Sequence, residues 1–354
     1  MHRVTLVSRH LFPAATGAAS TTFRHVSIRP ASSRTMTSST PAAAKDDALR
    51  VFRDMIVPRL DPAMHKGQCG RVAVIGGCEE YTGAPFFSAM ASLKLGVDLS
   101  HVICDANAGT VIKSYSPELI VHPYLRTEDS VTQRPTSTPD IIHRVASQLD
   151  RFHAIVVGPG LGRDPLILNL VSLLLPEIRA RFLPLVLDAD ALHLVATRPD
   201  LVRGYTRAVL TPNVVEYARL CRALELDPSE ATPHEVGEAL GGVTVVRKGA
   251  ADAVARPGAE SVVVDDQGGL RRFGGQGDVL TGAMAAFLAW NELAIKAHDG
   301  EDRRDRWTIA ACVAACAVTR TASRIAFEEH GRGTTTGDVL AVLPRAFSEV
   351  VGEM

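Results

Sequence analysis

The amino-acid sequence predicts an α/β fold in which a mostly parallel central sheet lies between two layers of helices. From about Asp46, short and almost continuous apolar runs alternate with stretches of helical periodicity. Glycine, aspartate, asparagine or lysine follows the end of several of these runs. Strands of a parallel sheet read as continuous apolar runs because helices cover both of their faces. No strong linker divides the body, so we expect one domain over residues 46–354.

Five of the apolar runs predict buried strands, and two other stretches predict helices. The predicted strands are Arg71–Ile75, His153–Val157, Pro184–Leu187, Ala208–Leu210 and Val243–Arg247, and the predicted helices are Pro85–Leu95 and Ala283–Trp290. The charged segment from Lys296 to Arg306 predicts a solvated loop. In parallel sheets ligands bind beyond the carboxyl ends of the strands. The polar residues that follow the predicted strands therefore indicate where a functional site lies.

Composition restricts the class of protein. The chain has 354 residues, of which 46% are hydrophobic and 22% are charged, as is typical of a globular protein with a sizeable core. The net charge of −1 does not favour binding to nucleic acid or to an anionic membrane. No apolar run reaches the length that spans a bilayer.

The six cysteines form no CxxC pair and no Cys/His cluster with zinc spacing. They indicate reduced thiols in a reducing compartment. Cys312 and Cys316 lie one helical turn apart, which predicts core packing.

The first 45 residues differ from the rest, because the first acidic residue of the chain is Asp46. An acid-free segment rich in arginine, serine and alanine is typical of an organelle transit peptide, with a disordered tail as the alternative. We expect a mitochondrial protein, with a cytoplasmic form if translation starts at Met36. The arginines of this leader are Arg3, Arg9, Arg24, Arg29 and Arg34.

The sharpest motif is the glycine loop Gly274–Gly277, which Asp278 and an apolar helix follow. Glycines before a helix let backbone N–H groups converge, and the helix dipole adds positive potential there. Asp278 is an acceptor that can take a proton from a hydroxyl group. An anion site beside a base is what the phosphorylation of a hydroxyl group requires. The alternative is a turn in which Asp278 only caps the helix.

Other strand ends carry further candidates. Lys248 could reach nucleotide phosphates or could be a solvated lysine. Asn213 and Glu216 lie one helical turn apart, so both could face one hydrated Mg²⁺, or they could form a helix cap with an exposed glutamate. Asp188 and Asp190 both follow a predicted strand, and one could approach a pocket while the other caps a loop.

The sequence does not support two common nucleotide-binding motifs. The sequence contains no GxxxxGK[ST] motif, which makes a P-loop kinase unsupported. Gly158–Gly162 follows a strand but lacks the full GxGxxG pattern. It is therefore a weak indication of a Rossmann redox enzyme.

An ordered series of segments carries a family resemblance over nearly all of the chain after the leader. These segments are residues 65–72, 80–85, 92–102, 115–119, 158–164, 187–192, 210–213, 271–272, 274–278 and 334–338. Together they resemble the eukaryotic ATP-dependent (S)-NAD(P)H-hydrate dehydratases. The resemblance implies a ribokinase-like fold, a three-layer α/β/α arrangement with a mostly parallel sheet.

The resemblance also implies roles for residues. It implies that Asp278 is the catalytic base, in a catalytic loop with Gly275 and Gly277, and that Asn213 and Glu216 match a metal-linked NxxE pattern. The residues implied to contact the hydrated nicotinamide nucleotide are Gly160, Asn213, Val214, Val215, Glu216, Tyr217, Ala218, Arg219 and Asp278. The residues implied to hold ATP are Lys248, Gly249, Ala250, Ala251, Asp252, Gly268, Gly269, Leu270, Arg271, Arg272, Phe273, Gly274, Gly275, Gln276 and Gly277.

The implied activity is dehydration of the S form of hydrated NADH or NADPH, with ATP as co-substrate and Mg²⁺ as cofactor. The resemblance further implies a homo-oligomer. It also implies a partner enzyme that epimerises the hydrate, and we expect that enzyme to be a separate protein because a 45-residue leader is too short to hold an epimerase domain. Segment Arg126–Pro139 matches no part of the family and is expected to be a variable loop. The alternatives are a kinase of the same fold acting on a vitamin or sugar hydroxyl, and a nucleotide-binding regulatory protein without turnover.

Overall fold

The computed structural model describes residues 41–352, so residues 1–40 of the expected leader lie outside the described part. Within this part, nine strands form one sheet in the order β3-β2-β1-β4-β5-β6-β7-β8-β9. The strands are β1 (Arg71–Ile75), β2 (Leu99–Asp105), β3 (Ile120–Leu125), β4 (Ala154–Val157), β5 (Leu185–Leu187), β6 (Ala208–Leu210), β7 (Thr244–Arg247), β8 (Asp252–Ala255) and β9 (Val262–Val264). Strands β1 to β7 pair in parallel, whereas β8 and β9 continue the sheet in antiparallel pairs.

Helices cover both faces of this sheet. They are α1 (Pro41–Val51), α2 (Gly83–Leu95), α3 (Ala106–Tyr115), α4 (Glu128–Gln133), α5 (Thr138–Leu149), α6 (Pro165–Ala180), α7 (Asp190–Thr197), α8 (Val214–Ala223), α9 (Pro233–Ala239), α10 (Gln276–His298), α11 (Arg304–His330) and α12 (Thr336–Val351). A π-helical turn spans Phe52–Ile56, and 3₁₀ turns span Pro199–Leu201, Glu301–Arg303 and Gly331–Gly333. The predicted three-layer α/β/α fold is confirmed.

The alternation of side chains along β1 shows why its sequence is apolar throughout. Val72 and Val74 pack into the core shared with α2, α10, α11 and α12. Ala73 and Ile75 point to the opposite face and pack into the core shared with α5, α6, α7 and α9. In a sheet with one solvated face, every second residue of a strand can be polar. Here helices cover both faces, so positions on both faces of β1 favour apolar residues.

The sequence predicted β1 and β6 with the observed bounds and placed three further strands within one residue. It did not predict β2, in which Ser100 and His101 are buried among apolar residues. Ser100 accepts a hydrogen bond from Ser92 at 3.0 Å, and His101 Nδ1 lies 3.0 Å from His122 Nε2. Polar residues that find partners inside the protein hide a strand from a search for apolar runs.

Helix α1 crosses the boundary expected between the leader and the body. Helix α1 begins at Pro41 and therefore includes residues 41–45, which were assigned to the leader. The ammonium group of Lys45 lies 3.1 Å from Asp266 and 3.3 Å from Asp265, which follow β9. Lys45 thus belongs to the folded domain.

The loop expected at Lys296–Arg306 is mostly helical. Helix α10 continues to His298, a 3₁₀ turn follows, and α11 begins at Arg304. The guanidinium of Arg304 pairs with the buried carboxylate of Glu292 and with Glu301. A charged sequence does not distinguish a solvated loop from helix ends that are joined by ion pairs.

The loop expected at Arg126–Pro139 contains helix α4 and the start of α5. The carboxylate of Asp105, at the end of β2, accepts hydrogen bonds from Thr127 N at 3.1 Å and from Ser130 Oγ at 2.6 Å. Buried carboxylate acceptors of this kind fix a segment in place. The segment is an ordered connection between β3 and α5.

Helix α11 is packed into one of the two cores. In the described part of the chain, one segment, Glu301–Gly333, is long and apolar enough to cross a membrane by length and composition alone, contrary to the expectation from the sequence. Within its apolar window, 89% of the residues are buried inside the protein, which is the pattern of a core helix. Cys312 and Cys316 are buried in this helix, as their spacing predicted.

Helices α2 and α10 cross closely at Gly282. A methyl group added at Gly282 would lie 2.0 Å from the carbonyl oxygen of Ser88 and 2.8 Å from Ala91 Cβ. Alanine favours a helix by about 1 kcal/mol over glycine, but a contact with backbone at this distance forces the two helices apart, which costs about 1–3 kcal/mol. The clash outweighs the helix propensity, so we expect Gly282→Ala to lower the free energy of unfolding.

Urea denaturation of Gly282→Ala and Gly333→Ala tests this expectation. A methyl group at Gly333 meets no atom within 4 Å, so the control should change the free energy of unfolding by less than about 0.5 kcal/mol. Equal stability of Gly282→Ala and the wild type would contradict the close helix crossing.

Candidate active site

The carboxyl ends of β5, β6 and β7 meet the amino-terminal end of α10 around a cavity of about 840 Å³, here called the central cavity. Its lining comes from the loops after these strands, from the start of β8, from the segment between β9 and α10, from the first turns of α8 and α10 and from one face of α11. The lining residues are Asp188, Ala189, Asn213, Val214, Val215, Glu216, Lys248, Gly249, Ala250, Asp252, Gly268, Arg272, Phe273, Gly274, Gly275, Gln276, Gly277, Asp278, Leu280, Cys316, Thr319, Arg320 and Ser323.

The glycine loop forms the start of α10. Gly275 is the N-cap in a left-handed conformation with φ of 95°, and it provides no side-chain cap. A side chain here would collide with Thr336, whose Oγ1 donates a hydrogen bond to the carbonyl oxygen of Gly274 at 2.6 Å. Uncapped N–H groups and the helix dipole attract negative charge. The start of α10 therefore presents to the central cavity the geometry that an anion site requires.

Lys248 forms an ion pair with Asp188 beside this helix end. Its Nζ lies 2.6 Å from Asp188 Oδ1, and the two side chains are only 19% and 4% exposed. A methyl group added at Gly277 would lie 3.4 Å from Lys248 Nζ and 3.5 Å from Asp188 Oδ2, which places the pair against the first turn of α10. Lys248 is thus not a solvated lysine, and of the two aspartates it is Asp188 that reaches the cavity.

Three carboxylates surround the ammonium group of Lys248. Burial lowers the pKa of Lys248, but the negative charges of Asp188, Glu216 and Asp278 raise it by a larger amount. The pKa of Lys248 therefore lies above its usual value. Lys248 therefore stays positively charged at neutral pH. A fixed cation at this position can interact with a phosphate group.

Asp278 lies in the first turn of α10 and has an unusual acidity. Burial, followed by repulsion from Asp188, raises the pKa of Asp278 to about 7, and attraction to Lys248 limits the rise. A carboxyl group with a pKa near the working pH can accept a proton and release it again. This arrangement fits a general base beside an anion site.

Asn213 and Glu216 form a capping box at the start of α8. Asn213 Oδ1 accepts hydrogen bonds at 3.0 Å from the backbone N–H groups of Val215 and Glu216, and Glu216 Oε2 accepts one at 2.8 Å from Asn213 N. Burial raises the pKa of Glu216. The helix cap that was the alternative to a metal site is therefore present. Glu216 is nevertheless half-buried rather than exposed, and it lines the central cavity together with Asn213.

Val214 and Val215 also line the central cavity, and their side chains are 68% and 67% exposed. Three other residues of the predicted substrate segment lie outside it. Tyr217 is buried, and its hydroxyl group donates to Ala231 O at 2.9 Å. Ala218 and Arg219 follow it away from the cavity on the same helix. The residues of α8 that line the cavity all lie in its first turn, and these three residues lie beyond that turn.

Gly160 lies outside the central cavity as well. It follows β4 in a left-handed conformation with φ of 58°, and a side chain there would meet Tyr81 O at 2.4 Å. The adjoining Leu161 and Gly162 line a second cavity of about 320 Å³. Asp190 accepts hydrogen bonds from Gly162 N and Arg163 Nε, which confirms that this aspartate caps a loop.

Most residues predicted to hold ATP line the central cavity, but Ala251, Gly269, Leu270 and Arg271 do not. Gly269 packs against Ser323, Leu270 points to solvent, and Arg271 binds the backbone oxygen of Thr334. The sequence also missed the contribution of α11. The polar residues of α11 that line the cavity are Thr319, Arg320 and Ser323. Their recurrence on one helical face within an apolar segment is the feature of the sequence that could have indicated this contribution.

Comparisons with known proteins agree with this geometry. A ribokinase-like protein from Enterococcus faecalis superposes with a TM-score of 0.66 at 20% identity, covering 86% of this chain and 95% of that chain. The ADP/ATP-dependent NAD(P)H-hydrate dehydratase from Bacillus subtilis, co-crystallized with ATP and Mg²⁺, superposes with a TM-score of 0.59 at 19% identity, covering 88% and 97%. The chain thus has the ribokinase-like fold.

Sequence similarity gives the family. The family model described as NAD(P)H-hydrate dehydratase matches residues 72–345. The ATP-dependent (S)-NAD(P)H-hydrate dehydratase of Phaeosphaeria nodorum is 44% identical over 322 residues, which cover 88% of this chain and 97% of the relative. The human enzyme of the same name is 44% identical over 310 residues, covering 86% and 85%. The chain belongs to the NAD(P)H-hydrate dehydratase family.

The acidity of Asp278 has a consequence for stability. Its folded-state pKa of about 7 lies above the ordinary value of 3.8, so the wild type loses stability as the pH rises between these values and stays at the lower level above pH 7. Asparagine does not titrate. We therefore expect Asp278→Asn to be more stable than the wild type at pH 8, by about 1 kcal/mol or more, with the gain shrinking towards pH 4.

Thermal unfolding between pH 4 and pH 8 measures this difference. Asp338 is a matched control, because it also lies in the first turn of a helix, but hydrogen bonds from Thr335 lower its pKa. Asp338→Asn should lose stability relative to the wild type as the pH rises, which is the opposite sign. A pH-independent difference for Asp278→Asn would rule out the raised pKa.

Proposed function

We propose that the protein uses ATP to dehydrate the S form of hydrated NADH and NADPH, and so repairs damaged nicotinamide nucleotides. One observation carries the proposal: Asp278, Lys248 and the uncapped start of α10 meet in one cavity. The names of the relatives with 44% identity support it, because these relatives cover most of the chain.

The chemistry explains why a kinase-like site suits a dehydratase. Hydrated NADH carries a hydroxyl group on a tetrahydropyridine ring, and hydroxide is a poor leaving group. Transfer of the γ-phosphoryl group of ATP forms a phosphate ester, and the hydroxyl proton is released. The lone pair of the ring nitrogen then expels phosphate, and loss of a proton from the adjacent ring carbon restores the dihydropyridine. The products are NADH, ADP, phosphate and one proton.

Each group of the central cavity has a part in this scheme. Asp278 accepts the proton of the substrate hydroxyl group, for which its pKa of about 7 is suited. The N–H groups at the start of α10 stabilise the negative charge of the transferring phosphoryl group. Lys248, held by Asp188, attracts the phosphates of the nucleotide. Phosphoryl transfer depends mainly on alignment and charge stabilisation, which these groups provide.

We also propose that Mg²⁺ accompanies ATP, held through water by Asn213 and Glu216. Among residues 41–352, no group of three or more His, Cys, Asp or Glu side chains could hold a metal ion. Oxygen donors from an amide and carboxylates fit this ion, which keeps several waters. When bound, Mg²⁺ supplies positive charge that neutralises the nucleotide phosphates.

The setting of the reaction is a further part of the proposal. The acid-free, arginine-containing leader supports import into mitochondria, and Met36 supports a second, cytoplasmic form. We propose that a separate epimerase supplies the S form from the R form of the hydrate, and that the protein forms a homo-oligomer.

The decisive assay is the incubation of the protein with hydrated NADH, Mg²⁺ and either ATP or ADP. We expect the absorbance of NADH to return with ATP, together with equal amounts of ADP and phosphate, and much more slowly with ADP. A stable phosphorylated vitamin or sugar, with no return of NADH absorbance, would support a kinase of the same fold instead.

Asp278→Asn serves as the inactive partner in the same assay. Because it lacks the base, we expect its kcat to fall about 10²–10⁴-fold, while calorimetry still shows ATP binding. Near-normal turnover of this variant would remove Asp278 as the base.

The dependence of kcat/KM on pH tests how the base is tuned. Since kcat/KM reports the free enzyme, we expect activity to fall below a midpoint near pH 7 as Asp278 becomes protonated. Asp188→Asn removes a charge that raises the pKa of Asp278, so its midpoint should move to lower pH. Asp190→Asn is the control, because Asp190 follows the same strand but binds Gly162 and Arg163 outside the cavity. An unchanged midpoint in Asp188→Asn would contradict this tuning.

A further inference from the structure

Arg320 is a mostly buried cation on α11, where the helix passes the central cavity. Its side chain is only 13% exposed, and Cys316, one turn before it, is fully buried. Burying a guanidinium group is costly unless its donors are satisfied. The partners of Arg320 therefore show what this residue organises.

All partners of Arg320 lie in two segments beside the cavity. One guanidinium nitrogen, Nη1, lies 3.0 Å from Asp252 Oδ2 and donates to Gly249 O at 3.4 Å. The other, Nη2, donates to the backbone oxygen of Ala250, and Nε donates to Asp266 O at 2.7 Å. Arg320 thus joins the turn between β7 and β8 to the segment after β9.

The turn that Arg320 holds begins directly after Lys248. Gly249 N donates to Asp252 Oδ1 at 3.0 Å, so the carboxylate of Asp252 bridges the turn and the guanidinium group. On the other side, Lys248 N donates to Pro212 O at 2.9 Å. The carbonyl groups of Gly249 and Ala250 face Arg320, so their negative ends meet a cation and not a phosphate. These contacts fix the backbone on both sides of Lys248.

We propose that Arg320 is a positioning residue for the nucleotide: it holds the turn Gly249–Ala251 in the conformation that aims Lys248 at the phosphates. The proposal rests on the proposed use of the central cavity for ATP. Arginine suits this task because its planar fork binds a carboxylate and several carbonyl groups at once, which a lysine cannot do.

The test compares Arg320→Met and Arg320→Lys with the wild type. For Arg320→Met we expect the Kd and KM of ATP to rise about tenfold or more, with KM for hydrated NADH changed less than about twofold. Arg320→Lys should recover part of the loss, because it keeps the charge but not the fork. Arg324→Met is the matched control: Arg324 lies one turn further along α11 and pairs with Glu328 and Glu349 away from the cavity. It should leave the Kd of ATP unchanged.

A double variant separates positioning from direct contact with ATP. Arg320→Met leaves the carboxylate of Asp252 without its cation, whereas Arg320→Met combined with Asp252→Asn removes both charges and protects against failure to fold. If Arg320 acts through the turn, Asp252→Asn alone weakens ATP binding, and the double variant binds ATP about as weakly as Arg320→Met. Effects of the two substitutions that multiply, or an unchanged Kd in Arg320→Met, would overturn the proposal.

Calorimetry on the wild type distinguishes this proposal from the proposed function. A wild type that binds ATP but does not regenerate NADH contradicts the activity, while the Kd of the Arg320 variants still tests the positioning role. A wild type that does not bind ATP overturns both.

Discussion

The attraction between Lys248 and Asp188 is the interaction on which the site depends. It holds the ammonium group against the first turn of α10, where its charge also lowers the free energy of the ionised Asp278. With Asp188, Glu216 and Asp278 around one lysine, carboxylates outnumber the cation at this point of the cavity. Phosphate groups that enter such a centre meet a negative environment. A divalent cation that enters with the nucleotide would neutralise this negative charge, which agrees with the proposed role of Mg²⁺.

Packing at the start of α10 keeps this charge arrangement in place. Gly275, the N-cap of α10, lies against Thr336 at the start of α12. Gly282, two turns further along α10, lies against the backbone of α2. Both contacts exclude a side chain, so the position of α10 along its axis is fixed at two points. The start of α10 is therefore positioned by the close-packed helical layer in which α10 is buried.

The sequence was informative where strands end and where glycine precedes a helix. The apolar runs predicted the parallel sheet, and the polar residues after β5, β6 and β7 predicted the place of the cavity, because the topology brings these ends together. Neighbours in sequence were less informative: Tyr217 is implied by the family segment but points into the core. Contacts between distant elements left little trace. Arg320 reads as one charge in an apolar helix until the fold places the β7–β8 turn beside it.

The ion pairs of Lys45 connect the first described helix to the nucleotide end of the molecule. Lys45 binds Asp266, whose backbone oxygen accepts from Arg320, so α1 is tied to the same network as the turn after Lys248. A truncation that removes Lys45 would therefore take away one partner of Asp266, the residue whose backbone holds Arg320. The first described helix thus supports a turn that lies far from it in the sequence.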